Sequence, residues 1–307
     1  MCHSEWIMPT TIQIALDADD AKVLSPLHSE FQRHWSQANV PPRVLYDRFV
    51  GETPVASGVK FREVVDAAGP GWWSEPNGAT PNQAILFLHG GAYVMGTAKA
   101  YHGLASQFAT RVRRPVFALD YPLAPEAQLP TALDMASSTL ERLCSQYESV
   151  AVVGDSAGGG LSLATLSATV NRGLPIVGAA LFSPWTDVTL SGDREGIVDP
   201  LLDANILRTS GSFYLGSARS DDPRGSPLFH VPKGLPPLLI QVGTDEILFD
   251  DSRRYAAAAS AVGTEVQLEE WQGMHHVFQF NVAQLKSARL SLDRAAEFLA
   301  RQFARGV

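Results

Sequence analysis

Ser156 is set where a hydroxyl could become a nucleophile. It lies in "VAVVGDSAGGG", where an apolar run of strand character gives way to glycines, with Gly154 two residues before it and Gly158 two residues after. Glycine at those places removes Cβ atoms that would collide in a tight strand-to-helix bend, and such a bend presents one strained side chain. A helix beginning near Ala157 would also aim unpaired N–H groups at negative charge developing beside the hydroxyl. A phosphate cradle is the competing reading. The stretch lacks the Lys-Ser/Thr ending of a P-loop, and its glycines miss the G-x-G-x-x-G spacing.

A serine hydroxyl is a poor nucleophile until a base takes its proton and a carboxylate holds that base in one tautomer. Upstream, "AILFLHGGAYVMG" sets His89, Gly90 and Gly91 directly after an apolar run, and consecutive glycine amides can closely approach the charged oxygen of an acyl-transfer intermediate. Downstream, "WQGMHHVFQF" offers His275 and His276, between which spacing does not choose. "PPLLIQVGTDEILFDD" offers Asp245 just past a strand end, with Glu246, Asp250 and Asp251 as competitors and Asp187 in "SPWTD" as another. Asp250 and Asp251 read as the start of the next helix. Adjacent histidines rarely converge on one ion and no carboxylate–histidine motif accompanies them, so no metal or other cofactor is expected. Cys2 and Cys144 match no zinc spacing and read as free thiols.

These residues need a scaffold that brings strand ends together. The 307 residues are 45% hydrophobic and 18% charged, enough for a substantial α/β core. "AILFLH", "PVFALDY", "SVAVVGD", "IVGAALFS" and "PPLLIQVG" are near-continuous apolar strands, with helical stretches such as "TALDMASSTLERLCSQY" between them. That alternation predicts a mostly parallel sheet covered by helices on both faces, with ligand chemistry at the strands' carboxyl ends. Residues 1–50 read as amphipathic helices broken at Pro41 and Pro42, and residues 51–307 as the catalytic domain, with an irregular insertion at about 188–236. The net charge of −8 argues against nucleic acid as partner. No basic region and apolar core mark the N-terminus, and no apolar run is long enough to cross a bilayer, so a cytoplasmic protein is expected.

The segments "HGGAY", "DYPLAPEAQLP", "GDSAGGG", "SPWTD", "VGTDEILFDDS" and "GMHHVF", in that order, make the chain similar to the hormone-sensitive-lipase-like branch of the α/β-hydrolase esterases. The resemblance implies an α/β-hydrolase fold with a helical cap, formed by the N-terminal helices and the insertion. It also implies hydrolysis of short- to medium-chain carboxylic esters through an acyl-serine intermediate. On it, Ser156 is the nucleophile, Asp245 the acid and His276 the base, because Met274, Val277 and Phe278 match the family's surrounding pattern. Gly90, Gly91 and Ala157 become the oxyanion donors, although Ala92 stands where the family usually has a third glycine. His89 would order that loop and Glu126 would be structural. A homodimer through an edge strand near "TEVQLEEW" is expected by analogy. The other readings of the fold are an amidase, a carbohydrate deacetylase, or a non-catalytic receptor like the plant gibberellin receptor, which has lost the histidine retained here.

Overall fold

Alternation along each strand builds the molecule. In the computed structural model, which describes residues 8–67 and 69–305, the elements run β1 (Thr10–Ile14), α1 (Ala18–Trp35), α2 (Pro42–Gly51), β2 (Val59–Val64), β3 (Gly71–Pro76), β4 (Gln83–Leu88) and α3 (His102–Val112). There follow β5 (Val116–Leu119), α4 (Thr131–Gln146), β6 (Ser149–Asp155), α5 (Ser156–Thr169), β7 (Ile176–Phe182), α6 (Ala204–Leu215), β8 (Leu238–Gly243), α7 (Phe249–Ala261), β9 (Val266–Trp271) and α8 (Lys286–Arg305). Cys2 lies outside the described residues; Cys144 is a free thiol.

The nine strands form one sheet in the order β1-β9-β8-β7-β6-β4-β5-β3-β2. Only the β2–β3 and β3–β5 pairings are antiparallel; the others are parallel. Successive side chains of a strand point to opposite faces. Along β4, Ala84, Leu86 and Leu88 therefore join one core with Leu140 of α4, Leu161 of α5 and Tyr255 of α7. Ile85 and Phe87 join the other, with Phe108 of α3 and Leu299 of α8. Burying each such Leu or Phe contributes about 1.5–3 kcal/mol, which holds β4 and β6 rigid at the centre of the sheet. The α/β reading and the mostly parallel sheet agree with the sequence expectation.

Three expectations need correction. Residues 8–50 are not purely helical: β1 runs parallel to β9, with Thr10 opposite Gln267 and Ile14 opposite Trp271. The "TEVQLEEW" strand is consequently interior, and a dimer contact through a free β9 edge is not open to this chain. The break at Pro41 and Pro42 is as expected, and Pro42 also begins α2 at the position where a missing N–H costs nothing. The insertion also contains an ordered helix, α6, whose N-cap Asp203 accepts hydrogen bonds from Asn205 N (2.8 Å) and Ile206 N (3.1 Å).

The acidic stretch at the start of α1 does two jobs. Asp17 caps α1 by accepting from Asp19 N at 2.7 Å, while Asp20 turns away to accept from Lys286 N and Ser287 N, each at 2.8 Å. The first turn of α8 is thereby fixed to α1. Among the described residues no helix is long and apolar enough to cross a membrane.

Candidate active site

The bend after β6 is as tight as its glycines require. Ser156 has φ = +51°, a left-handed conformation that costs a non-glycine residue on the order of 1–3 kcal/mol. A Cβ on Gly158 would stand 2.0 Å from Leu88 O, and one on Gly154 would stand 2.5 Å from Gly158 O. The Ser156 carbonyl is held by Trp185 N–H at 2.9 Å. The side chain is pinned by nothing: among the described residues its hydroxyl has no hydrogen-bond partner, and Ser156 keeps 5% of its surface open. Ala157 is in the first turn of α5, which has no side-chain cap, so its N–H is an orphan donor.

At the neighbouring strand end, the loop after β4 is turned by Gly91 (φ +109°) and Ala92 (φ +52°). The expected donors divide here. Gly90 N–H is already committed, 3.0 Å from both Asp155 Oδ1 and Tyr101 Oη, so it cannot also serve an oxyanion. The amides of Gly91 and Ala92 have no acceptor among the described residues. Gly90 is glycine for space, since a Cβ there would come within 2.4 Å of Asp155 Oδ2. His89 holds the loop as expected. Its Nδ1–H donates to Gly90 O at 2.8 Å, its ring stacks on Tyr121 at 4.3 Å, and Tyr121 Oη donates to His89 O at 2.6 Å. Burial pushes His89 down from its ordinary pKa, so it stays neutral.

The acid beside the imidazole is Glu246, not Asp245. His276 Nδ1 lies 3.2 Å from Glu246 Oε1. Glu246 Oε2 accepts from Ser183 Oγ at 2.7 Å and from Gly243 N at 3.2 Å, and the residue is fully buried. Ser183 Oγ in turn accepts from Val277 N at 3.2 Å, tying the carboxylate to the histidine loop. Asp245 is exposed and its carboxylate meets the Thr244 hydroxyl at 3.0 Å. The physical reason is the turn after β8: a side chain three residues beyond Gly243 folds back onto that glycine's N–H, which points Glu246 inward and Asp245 out. The other competitors are committed elsewhere. Asp251 accepts from Thr186 N and Asp187 N, at 2.9 and 2.8 Å, and Asp187 accepts from Thr189 N (2.9 Å) and Ser191 N (3.1 Å). Asp250 Oδ2 accepts from Asp193 N at 3.1 Å.

The two histidines separate cleanly. A carboxylate only accepts, so His276 carries its proton on Nδ1 and leaves the Nε2 lone pair free; Nε2 has no partner among the described residues. Burial works against a charged His276, but the Glu246 charge and hydrogen bond outweigh it, with help from Asp199 and Asp155, and the pKa ends above the ordinary histidine value. Burial raises Glu246, opposed by His276. His275 points the other way. Its Nε2 donates to Asn281 Oδ1 at 2.9 Å, its Nδ1 lies 3.4 Å from His28 Nε2, and burial pushes it down to about 3. It stays neutral and lines the contact with α1. A cavity of about 230 Å³ lies beyond it, lined by Phe31, His34, Phe49, Phe280 and Asn281 among others, and does not include Ser156 or His276.

Sequence reasoning missed Glu246 as the buried acid, Ser183 as its anchor, and Asp199. Asp199 accepts from Ile247 N at 2.9 Å and binds the insertion to the Glu246 loop. A readable signal for Glu246 existed in the Gly243-x-x-Glu246 spacing followed by apolar Ile247 and Leu248. Glu126 is structural as expected, paired with Arg43 at 2.6 Å. Among the described residues no cluster of three His, Cys, Asp or Glu side chains is arranged to hold a metal ion.

Residues 85–280 match a family model described as an alpha/beta hydrolase fold. An acetyl-hydrolase of Streptomyces hygroscopicus is 34% identical over 279 residues, covering 88% of this chain and 93% of its own. An esterase from the bacterial hormone-sensitive lipase family superposes with a TM-score of 0.85 at 30% identity, covering 94% of this chain and 99% of its own. An esterase/lipase from an uncultured bacterium gives 0.83 at 30% identity, over 94% and 100%.

Proposed function

This chain belongs to the alpha/beta-hydrolase family, in its hormone-sensitive-lipase-like branch, and is a carboxylic ester hydrolase; on that premise we propose that it works through an acyl-serine intermediate on Ser156. His276 Nε2 takes the hydroxyl proton as Ser156 Oγ attacks the ester carbonyl. The carbonyl π pair moves onto oxygen, and the resulting oxyanion is held by the amides of Gly91, Ala92 and Ala157. Collapse expels the alkoxide, which receives the proton from His276. Water then repeats the sequence on the acyl-enzyme and frees the acid. Glu246 fixes the His276 tautomer and balances the imidazolium formed in each half. Asp245 has no part in this.

The observation that carries the reading is the strained Ser156 at the head of α5, its hydroxyl unengaged, beside a loop whose Gly91 and Ala92 amides are equally unengaged. Strain of this kind persists where the surroundings enforce it and is found at reacting centres. The substrates are esters with short to medium acyl chains. The similarity to an acetyl-hydrolase supports the short end. The N-terminal helices and the 188–236 insertion act as a cap that screens the ester from water. Ser156→Ala should reduce turnover of p-nitrophenyl acetate and butyrate to background. Retention of more than a tenth of wild-type turnover would reject the mechanism.

A further inference from the structure

The helix α2, outside the sheet, carries residues that all point at the loop holding the free amides. Arg43, Tyr46 and Asp47 share one face of α2. Arg43 Nε donates to Val94 O at 2.8 Å and its Nη2 to Ala124 O at 2.9 Å, while Asp47 Oδ2 accepts from Thr97 Oγ1 at 3.2 Å. Between them, Tyr46 Oη sits 2.7 Å from Tyr101 Oη. Tyr101 Oη donates to Asp155 Oδ2 at 2.9 Å and accepts from Gly90 N at 3.0 Å. Asp155 is the residue directly before the nucleophile.

Counting protons fixes the direction of the chain. A phenol has one proton and two lone pairs. Burial raises Asp155 to about 7, so above that pH it is ionised; the Tyr101 proton then goes to it and one lone pair receives Gly90 N–H. The remaining lone pair must accept from Tyr46, so Tyr46 donates to Tyr101 and Tyr101 to Asp155. Tyr101 is fully buried and saturated, and Tyr46 is half-buried against it. Such a chain strengthens each bond by polarising the next. Its far end grips Gly90 N–H twice, and Gly91 and Ala92 follow directly. The ring of Tyr46 also borders Gly91, where a Cβ would lie 3.2 Å from Tyr46 Cε1.

We infer that Tyr46 is a positioning residue for ester hydrolysis: from the N-terminal helix it donates through Tyr101 to Asp155 and so sets the orientation of the Gly91 and Ala92 amides toward the oxyanion. It touches neither substrate nor nucleophile in this role. The inference rests on the acyl-serine reading above.

The test is a kinetic cycle on the full chain with Tyr46→Phe, Tyr101→Phe and the double variant, using p-nitrophenyl acetate and a trifluoromethyl ketone whose serine adduct carries an oxyanion. Tyr46→Phe keeps the ring and leaves the Arg43 anchor, and a thermal melt verifies folding. Tyr46→Phe should lower kcat about tenfold with KM within twofold, because the donors act on the transition state. It should weaken the ketone by a similar factor. In the Tyr101→Phe background the same change should cost less than twofold, since the chain is already cut. Unchanged kcat, a loss confined to KM, or equal losses in both backgrounds would each overturn the inference. Should the single variants not fold, Tyr46→Trp, which restores a ring and an N–H donor, is expected to keep more activity than Tyr46→Leu; equal activity would overturn it. A Ser156→Ala enzyme that stays active would instead overturn the underlying mechanism, so the failures are distinguishable.

Discussion

Removing the charge of Glu246 and of Asp245 in turn separates two adjacent carboxylates that the sequence reading and the structure rank in opposite order. In the proposed transition state His276 becomes an imidazolium 3.2 Å, atom to atom, from Glu246 Oε1. With the charge centres about 4 Å apart and an effective dielectric near 20, their attraction is about 4 kcal/mol. That is roughly a thousandfold in rate. A neutral amide in place of the carboxylate also favours the wrong tautomer, as in a serine protease where the equivalent change costs about 10⁴. Glu246→Gln is therefore expected to lower kcat on p-nitrophenyl acetate about 10³- to 10⁴-fold, and Asp245→Asn less than threefold. The same pair predicts the pH profile. On the proposed mechanism activity needs neutral His276, and its folded pKa is raised, so the acid limb of kcat/KM should lie above the ordinary value of about 6.5. Glu246→Gln removes the charge that raises it and should move that limb to lower pH. Initial rates from pH 5 to 9, with denaturant melts to establish folding, measure both effects. A thousandfold loss in Asp245→Asn, with Glu246→Gln near wild type, would refute the reasoning.

The remaining expectations are simpler to read. Gly91→Ala places a Cβ 2.2 Å from Met95 O at φ +109°, and displacing that amide should cut kcat about a hundredfold, seen in steady-state rates. Gly158→Ala drives a Cβ to 2.0 Å from Leu88 O; urea melts should show a loss of about 1–3 kcal/mol or more, with activity lost alongside. His276→Ala should be inactive. His275→Ala should keep more than a tenth of kcat but lose about 1–3 kcal/mol of stability, because Asn281 Oδ1 is left buried without its donor. The reverse pattern of activities would show the base to be misassigned.

The sheet was legible because its central strands are buried on both faces and so read as continuous apolar runs. β1 was not, because "TTIQI" lies at an edge, mostly exposed, and carries no strong period. The bend at Ser156 was legible because it is a steric demand written in glycine. The carboxylate that meets His276 was misread, because Asp245 and Glu246 are neighbours and the fold-back of a side chain onto Gly243 N–H decides which turns inward. Gly90 misled for a similar reason. Glycine there reports a close approach to Asp155, and nothing in the sequence tells a glycine kept for space from one kept for its amide. Tyr46, fifty-five residues from its partner Tyr101, has no local signature at all.

The most direct measurement is the site of covalent capture. Incubation with a fluorophosphonate, followed by proteolysis and mass spectrometry of the peptides, should place a single phosphonyl group on Ser156. The modification should stop turnover in proportion to its extent and should be slowed at least a hundredfold by His276→Ala. Full modification at any other residue, or complete hydrolytic activity remaining after Ser156 is fully modified, would contradict the account.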